Sequence, residues 1–282
     1  MGKEAGYTLS FLESVLYGLI SGMTEFIPVS SQGHQAIMLY LFGLSNREPV
    51  RDLWVHIGIL LALLTACRPM FNSLRREQIL LSNRRRKYNG DRRAAYELRL
   101  FKGAIVPLLI GLLFYFSTKK LEGKIVLITV FFIVNGVIVM VPEYIRQGNK
   151  DGRFMSGMDS FLIGAFGALS VIPGISRIAT INLYSMLRGV SRSNALNWAL
   201  LMSVPALVLF LVFDIIHLFI IPLGTITFIT ILYYLVSAIA AYLGGYLGIH
   251  IMRYLSVHTG FAGFAYYSWG AAMFSFVLFL IA

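Results

Sequence analysis

The chain is dominated by long apolar runs that stop and restart, and this pattern limits the folds open to it. Continuous runs lie at about 53–67, 103–116, 125–141, 195–213, 215–251 and 260–282, with shorter broken runs near 9–21, 36–44 and 159–188. A spanning helix needs about 20 apolar residues, so the long runs read as membrane helices, the 215–251 run being long enough for two. The short pieces read as re-entrant half helices, because irregular backbone at membrane depth is tolerated only where protein or a polar cavity covers it. Only 13% of the residues are charged and 57% are hydrophobic, against about 25% charged in soluble domains. The expected fold is an all-α integral membrane protein: one membrane domain over 1–282, a polytopic helical bundle.

The charges indicate an orientation. Between Arg68 and Lys102 there are eleven basic residues against three acids, out of 24 Lys and Arg in all. A loop this basic beside spans is expected on the cytoplasmic side, with Arg146, Lys150 and Arg153 marking a second loop on the same side. The run Arg84-Arg85-Arg86-Lys87 is better explained by topology and anionic headgroups than by nucleic acid, so no nucleic-acid partner is expected. The N-terminal stretch, carrying Lys3, Glu4 and Glu13, lacks the features of a cleaved signal peptide. Cys67 is the only cysteine, which excludes an intramolecular disulfide and a thiolate metal cluster.

Two polar segments interrupt the apolar pattern. The first, Gly22-Met23-Thr24-Glu25-Phe26-Ile27-Pro28-Val29-Ser30-Ser31-Gln32-Gly33-His34, gathers an acid, several hydroxyls and a histidine in an apolar setting. The second, Gly167-Ala168-Leu169-Ser170-Val171-Ile172-Pro173-Gly174-Ile175-Ser176-Arg177, aligns on it without gaps 145 positions later, matching Gly22 with Gly167, Ile27 with Ile172, Pro28 with Pro173 and Ser31 with Ser176. Paired helix breaks in corresponding halves point to an internal duplication, with repeats at about 1–141 and 155–282 and a binding site where the breaks meet.

Each segment offers recognisable chemistry. Pro28, with Gly22 and Gly33, is expected to break the helix and free backbone N–H groups, while Ser30 and Ser31 add hydroxyls and His34 follows Ser30 by one turn. In the second segment Pro173-Gly174 opens a turn, Ser176 and Thr180 supply hydroxyls, and Arg177 supplies a fork suited to phosphate. A helix starting near Ser176 would aim its N–H groups at the same anion. A lone Ser or a Pro-Gly step in a membrane helix is usually structural, but Glu25, His34 and Arg177 are ionisable groups that need a partner or a task. His56, on an apolar helix, reads equally as a packing residue or a functional group, and Asp214 with His217 reads as interfacial.

These segments closely resemble the two signatures of the undecaprenyl pyrophosphate phosphatases, also known as the bacitracin-resistance phosphatases. The likeness extends in order through His56-Ile57-Gly58, Gly103 with Pro107 and Gly111, Arg188-Gly189-Val190-Ser191-Arg192 followed by Pro205, and Phe264-Ala265-Tyr266-Tyr267. The resemblance implies two inverted repeats with re-entrant hairpins in the bacterial cytoplasmic membrane. It also implies hydrolysis of undecaprenyl diphosphate to the monophosphate carrier lipid of cell-wall synthesis, with a divalent cation, Mg or Ca, as cofactor. Membrane lipids are implied as further partners, and a homodimer is compatible with the sequence. Carried over by position, Glu25, Ser31, His34 and Arg177 are the catalytic candidates, with Glu25 also the metal ligand. Ser30, Gly174, Ser176, Arg177 and Thr180 are the substrate-binding candidates. Ser, His or water could each be the nucleophile.

Three positions depart from the family pattern. Ser21 stands where an acid or Gln is usual, Ile178 where Ser is usual, and Ile181 where Thr is expected, with Thr24 and Thr180 the nearest replacements. The alternative readings are therefore a polyprenyl-phosphate lipid transporter, or flippase, and an inactive lipid-binding homologue.

Overall fold

The computed structural model describes residues 9–44, 48–82, 92–118, 121, 123–146, 148, 155–220 and 226–281. Lys3, Glu4, the run Arg84-Arg85-Arg86-Lys87, Lys150 and Arg153 fall outside them. Twelve α-helices run in order as α1 Phe11–Phe26, α2 Ser31–Leu41, α3 Pro49–Ala66, α4 Arg68–Ser82, α5 Arg92–Leu112, α6 Tyr115–Thr118, α7 Ile125–Met140, α8 Gly157–Ala168, α9 Arg177–Leu187, α10 Arg192–Ile220, α11 Phe228–His258 and α12 Ala262–Ile281. Short 3₁₀ turns follow α7 at Val141–Tyr144 and α8 at Leu169–Val171, and the described residues contain no β-strand. Among the described residues, five helices are long and apolar enough to cross a membrane: Pro49–Ala66, Ile125–Tyr144, Arg192–Ile220, Phe228–His258 and Ala262–Ile281. The protein is an all-α, multi-pass membrane protein.

The broken apolar runs become two helical hairpins. α1 and α2 pack on each other across a break at Ile27–Ser30, and α8 and α9 pack across a break at about 169–176. Each hairpin begins with the same device. Ser10 and Glu13 form a capping box at the start of α1, and Ser156 and Asp159 form one at the start of α8, so the first N–H groups of both helices are satisfied locally. Asp159 also accepts hydrogen bonds from Tyr184 at 3.0 Å and Arg188 at 2.5 Å, which ties the start of α8 to the end of α9.

Several boundaries differ from the sequence expectation. The 215–251 run does not hold two spans: residues up to Ile220 extend α10, and one helix covers Phe228–His258. The basic segment 68–102 is helical on both sides of its centre, forming α4 and the first half of α5, because its Arg, Glu, Leu and Ala residues are good helix formers. Gly22 does not break α1, which runs through it to Phe26, and Gly33 lies inside α2. Asp214 and His217, near the C-terminal end of α10, face the interior of the bundle. They are 2% and 6% exposed, and Asp214 accepts a hydrogen bond from His56 Nδ1 at 2.5 Å.

Gly22 serves packing instead. Gly18 and Gly22 on α1 face Ser237 and Ala241 on α11, while Gly244 and Gly248 on α11 face Leu19 and Met23 in return. Apolar side chains gain little by leaving lipid for protein, so such helices associate by close backbone approach, and small residues four apart on both partners permit it. A Cβ at Gly22 would fall 2.0 Å from the Ala241 carbonyl oxygen. Gly22→Ala is expected to push α1 off α11 and cost about 1–3 kcal/mol, the usual cost of overpacking, measured as a lower melting temperature in detergent.

Candidate functional site

The tips of the two hairpins meet inside the bundle. Ser30, at the end of the first break, has φ 67°, the only positive φ on a residue other than glycine among the described residues. That backbone turns the Ser30 hydroxyl both toward Gly33 N, at 3.4 Å within its own hairpin, and toward Gly174 N, at 3.0 Å in the other. Gly174 has φ +106°, where a side chain would be strained, and a Cβ there would lie 2.5 Å from Phe131. Ser176 caps α9 by accepting from Ala179 N, and its hydroxyl donates to the Ile27 carbonyl at 3.4 Å.

Asn135 of α7 holds both tips at once. Its Nδ2 donates to the Pro28 carbonyl at 2.9 Å and to Ser268 Oγ at 3.1 Å, and its Oδ1 accepts from Ser176 N at 2.8 Å. The motif-based candidates do not include Asn135. Its signal in the sequence is an amide in the otherwise apolar Ile125–Met140 helix, where a polar side chain is costly unless it has work to do.

Between the tips lies a small, partly open cleft lined by Thr24, Glu25, Ser30, Ser31, Gln32, Ser170, Ile175, Ser176, Arg177 and Phe210. Arg177, the first residue of α9, is 4% exposed; its Nη2 donates to Glu25 Oε1 and its Nε donates to Ser203 Oγ at 3.2 Å. Ser31 Oγ donates to the Ser21 carbonyl at 3.1 Å and accepts from Gln35 Nε2 at 3.3 Å. The cleft thus offers a permanent cation, hydroxyls from both hairpins and the start of α9, which together suit a phosphate group.

The structure brings Glu25, Ser30, Ser31, Ser176 and Arg177 to this cleft and joins Gly174 to it through the backbone. His34 and Thr180 are not in its lining. Thr180 turns back onto its own helix, donating to the Ser176 and Arg177 carbonyls at 3.2 and 3.1 Å. His34 is held at both nitrogens: Nδ1 donates to the Ser30 carbonyl at 2.8 Å, so in the neutral ring Nε2 accepts from the Tyr267 hydroxyl at 2.9 Å. No hydrogen bond joins His34 to Ser31, Glu25 or Arg177. Ile178 and Ile181 are fully buried in the apolar core, and Ser21 Oγ is buried with no hydrogen-bond partner.

The donor set does not make a cation cage by itself. Glu25 is the one carboxylate in the cleft lining and is already paired with Arg177; no cluster of three His, Cys, Asp or Glu able to hold a metal occurs among the described residues. A hard divalent cation needs several oxygens, and a site of this kind leaves most of them to substrate phosphates and water.

A profile of the family described as "Bacitracin resistance protein BacA" matches residues 14–274. The chain belongs to the BacA family. It is 29% identical over 263 residues to a Bacillus cereus protein named undecaprenyl-diphosphatase 3, covering 93% of this chain and 95% of that one. It is 29% identical over 276 residues to an undecaprenyl-diphosphatase of Methanococcus vannielii, covering 96% and 100%, and 30% identical over 263 residues to undecaprenyl-diphosphatase 4 of Bacillus thuringiensis subsp. konkukian, covering 93% and 95%. The match covers both helix breaks and every cleft residue of this BacA chain.

Two substitutions test the geometry. Asn135→Leu leaves the Pro28 carbonyl and Ser176 N without partners at about 1–3 kcal/mol each, so a lower melting temperature and loss of any cleft ligand are expected together. Ser21→Ala removes a hydroxyl that makes no bond and is expected to leave the melting temperature unchanged or raised.

Proposed function

We propose that the chain is a phosphatase of the cytoplasmic membrane that hydrolyses undecaprenyl diphosphate, or a similar polyprenyl diphosphate, to the monophosphate carrier lipid. The observation that carries this reading is Arg177 at the first turn of α9, buried in a cleft with hydroxyls from two hairpin tips, in a chain aligned end to end with proteins named undecaprenyl-diphosphatases. Arg177 and the Ser176 hydroxyl would hold the diphosphate, whose charge builds up where the guanidinium and the first N–H groups of α9 can stabilise it. Glu25 would yield Arg177 to the incoming phosphate. Ser31, or a water beside it, is the candidate nucleophile, because Ser31, the first residue of α2, lines the same cleft.

The Mg or Ca expected from the sequence would come bound to the diphosphate, since the chain supplies Glu25 and hydroxyls but no second carboxylate. His34 is proposed to position the first hairpin rather than to carry protons in the cleft, because Tyr267 and Ser30 occupy its ring. An internal duplication supplies the arrangement. It is supported by the matching capping boxes and by the pairing of helices: α1 and α3 both pack on α11, α8 and α10 both pack on α5, and α7 packs on α12.

Purified protein in detergent is expected to release phosphate from farnesyl or undecaprenyl diphosphate, and less of it in chelator. Binding of polyprenyl phosphate without phosphate release would favour the transporter reading. Arg177→Lys is expected to lose at least about tenfold in kcat/KM, since an ammonium cannot serve Glu25, Ser203 and phosphate with one planar fork. Tyr267→Phe is expected to lower turnover about as much as His34→Ala if His34 acts by position, whereas a general base would lose far more with His34→Ala, by about 10²- to 10⁴-fold.

A further inference from the structure

The cleft lining holds a single carboxylate and no histidine. Glu25 is paired with Arg177, and His34 is bonded at both nitrogens. Behind Phe210, one wall of the cleft, stands a second polar system. Phe210 stacks on His56 of α3 at 5.7 Å between ring centroids, and His56 Nδ1 donates to Asp214 Oδ2 at 2.5 Å. A carboxylate on Nδ1 fixes the tautomer that leaves the Nε2 lone pair available, and His56 Nε2 has no hydrogen-bond partner although the residue is only 8% exposed.

His56 is also the inner end of a column. Glu48, Asp52 and His56 recur every fourth residue and so share one face of α3 over a rise of about 12 Å. Each has polar company. Asp52 accepts from the Tyr17 hydroxyl at 3.1 Å and from Arg51 at 3.2 and 3.3 Å, and Arg51 lies over the Tyr17 ring at 4.4 Å. Glu48, partly exposed at the N-cap of α3, accepts from the Tyr234 hydroxyl. Arg51, Asp52 and Asp214 are at most 5% exposed, a concentration of ionisable groups that is expensive inside a membrane and typical of proton relays.

Resting on the phosphatase reading, we propose that His56, oriented by Asp214, accepts the proton released by hydrolysis in the cleft and discharges it along the Asp52 and Glu48 face of α3 to water. As the attacking oxygen bonds to phosphorus, the phosphoanhydride P–O bond breaks and the lipid monophosphate leaves with that bridging oxygen. The proton of the attacking water, or of Ser31 in a two-step route, passes through a water molecule around Phe210 to His56 Nε2. The charged groups that act on His56 are Asp214 on α10, Asp52 on α3 and Glu25 on α1; Asp52 in turn meets Arg51 and Tyr17, and Phe210, which stacks on His56, meets Tyr115, itself beside His217.

The test uses the purified full chain and farnesyl diphosphate, following phosphate release from pH 5 to 9 with and without added imidazole. His56→Gln keeps the size and hydrogen bonding of the ring position but cannot carry a proton. It is expected to lower kcat by at least about tenfold with KM within about twofold, to flatten the acidic limb of the pH profile and to regain activity in imidazole. Glu48→Gln, at the partly exposed end, is expected to give a smaller loss of kcat that imidazole also restores. An active wild type with His56→Gln and Glu48→Gln both within about twofold at every pH would overturn the relay alone, as would losses that imidazole does not restore. A wild type that releases no phosphate would overturn the hydrolysis reading, and the relay with it.

Discussion

A helix that stops inside a membrane exposes backbone groups that lipid cannot satisfy, and the fold depends on how two such stops satisfy each other. The Ser30 hydroxyl takes the Gly174 N–H, the Ser176 hydroxyl reaches the Ile27 carbonyl, and Asn135 bonds Pro28 on one tip and Ser176 on the other. Neither break is satisfied by its own hairpin alone. The hairpins therefore form as a pair, and α7 is the element that fixes their separation.

That pairing also sets the chemistry. Arg177 is almost wholly buried because its helix starts at the junction, and a buried guanidinium persists only when its donors are used. Glu25 and Ser203 use two of them. On the proposed reading, a diphosphate entering the cleft would meet a buried cation held in a fixed plane, and would displace one carboxylate from it. The Glu25 pair would then compete with the anion for the same fork, and affinity would reflect the difference between the two partners.

Much of this was legible in the sequence and some was not, for identifiable reasons. The two helix breaks and the N-cap at Ser176 follow from Pro, Gly and Ser placed in apolar runs, because local backbone chemistry decides them, whereas the pairing of Glu25 with Arg177 across the two hairpins is tertiary and was not read from the sequence. Asn135 escaped because it sits in no motif and its role is purely tertiary. Gly22 read as a breaker because glycine is a poor helix former, yet close packing on α11 outweighed that preference. For His34 the motif supplies a histidine near two serines, and only the three-dimensional arrangement shows its ring bonded to Tyr267 on α12 and to the Ser30 carbonyl.

The same logic separates two polar systems that the sequence presents as one. Residues at the hairpin tips spend their hydrogen bonds on the helix breaks, leaving few free groups except where Arg177 and the α9 start face the cleft. The Glu48, Asp52 and His56 face of α3 closes no helix break, since α3 is continuous from Pro49 to Ala66. Its ionisable groups are not needed to satisfy interrupted backbone, and an apolar face of equal volume would pack at lower desolvation cost. Their presence beside a cleft whose lining holds no histidine is the physical reason to separate the proposed anion binding at the tips from the proposed proton movement along α3.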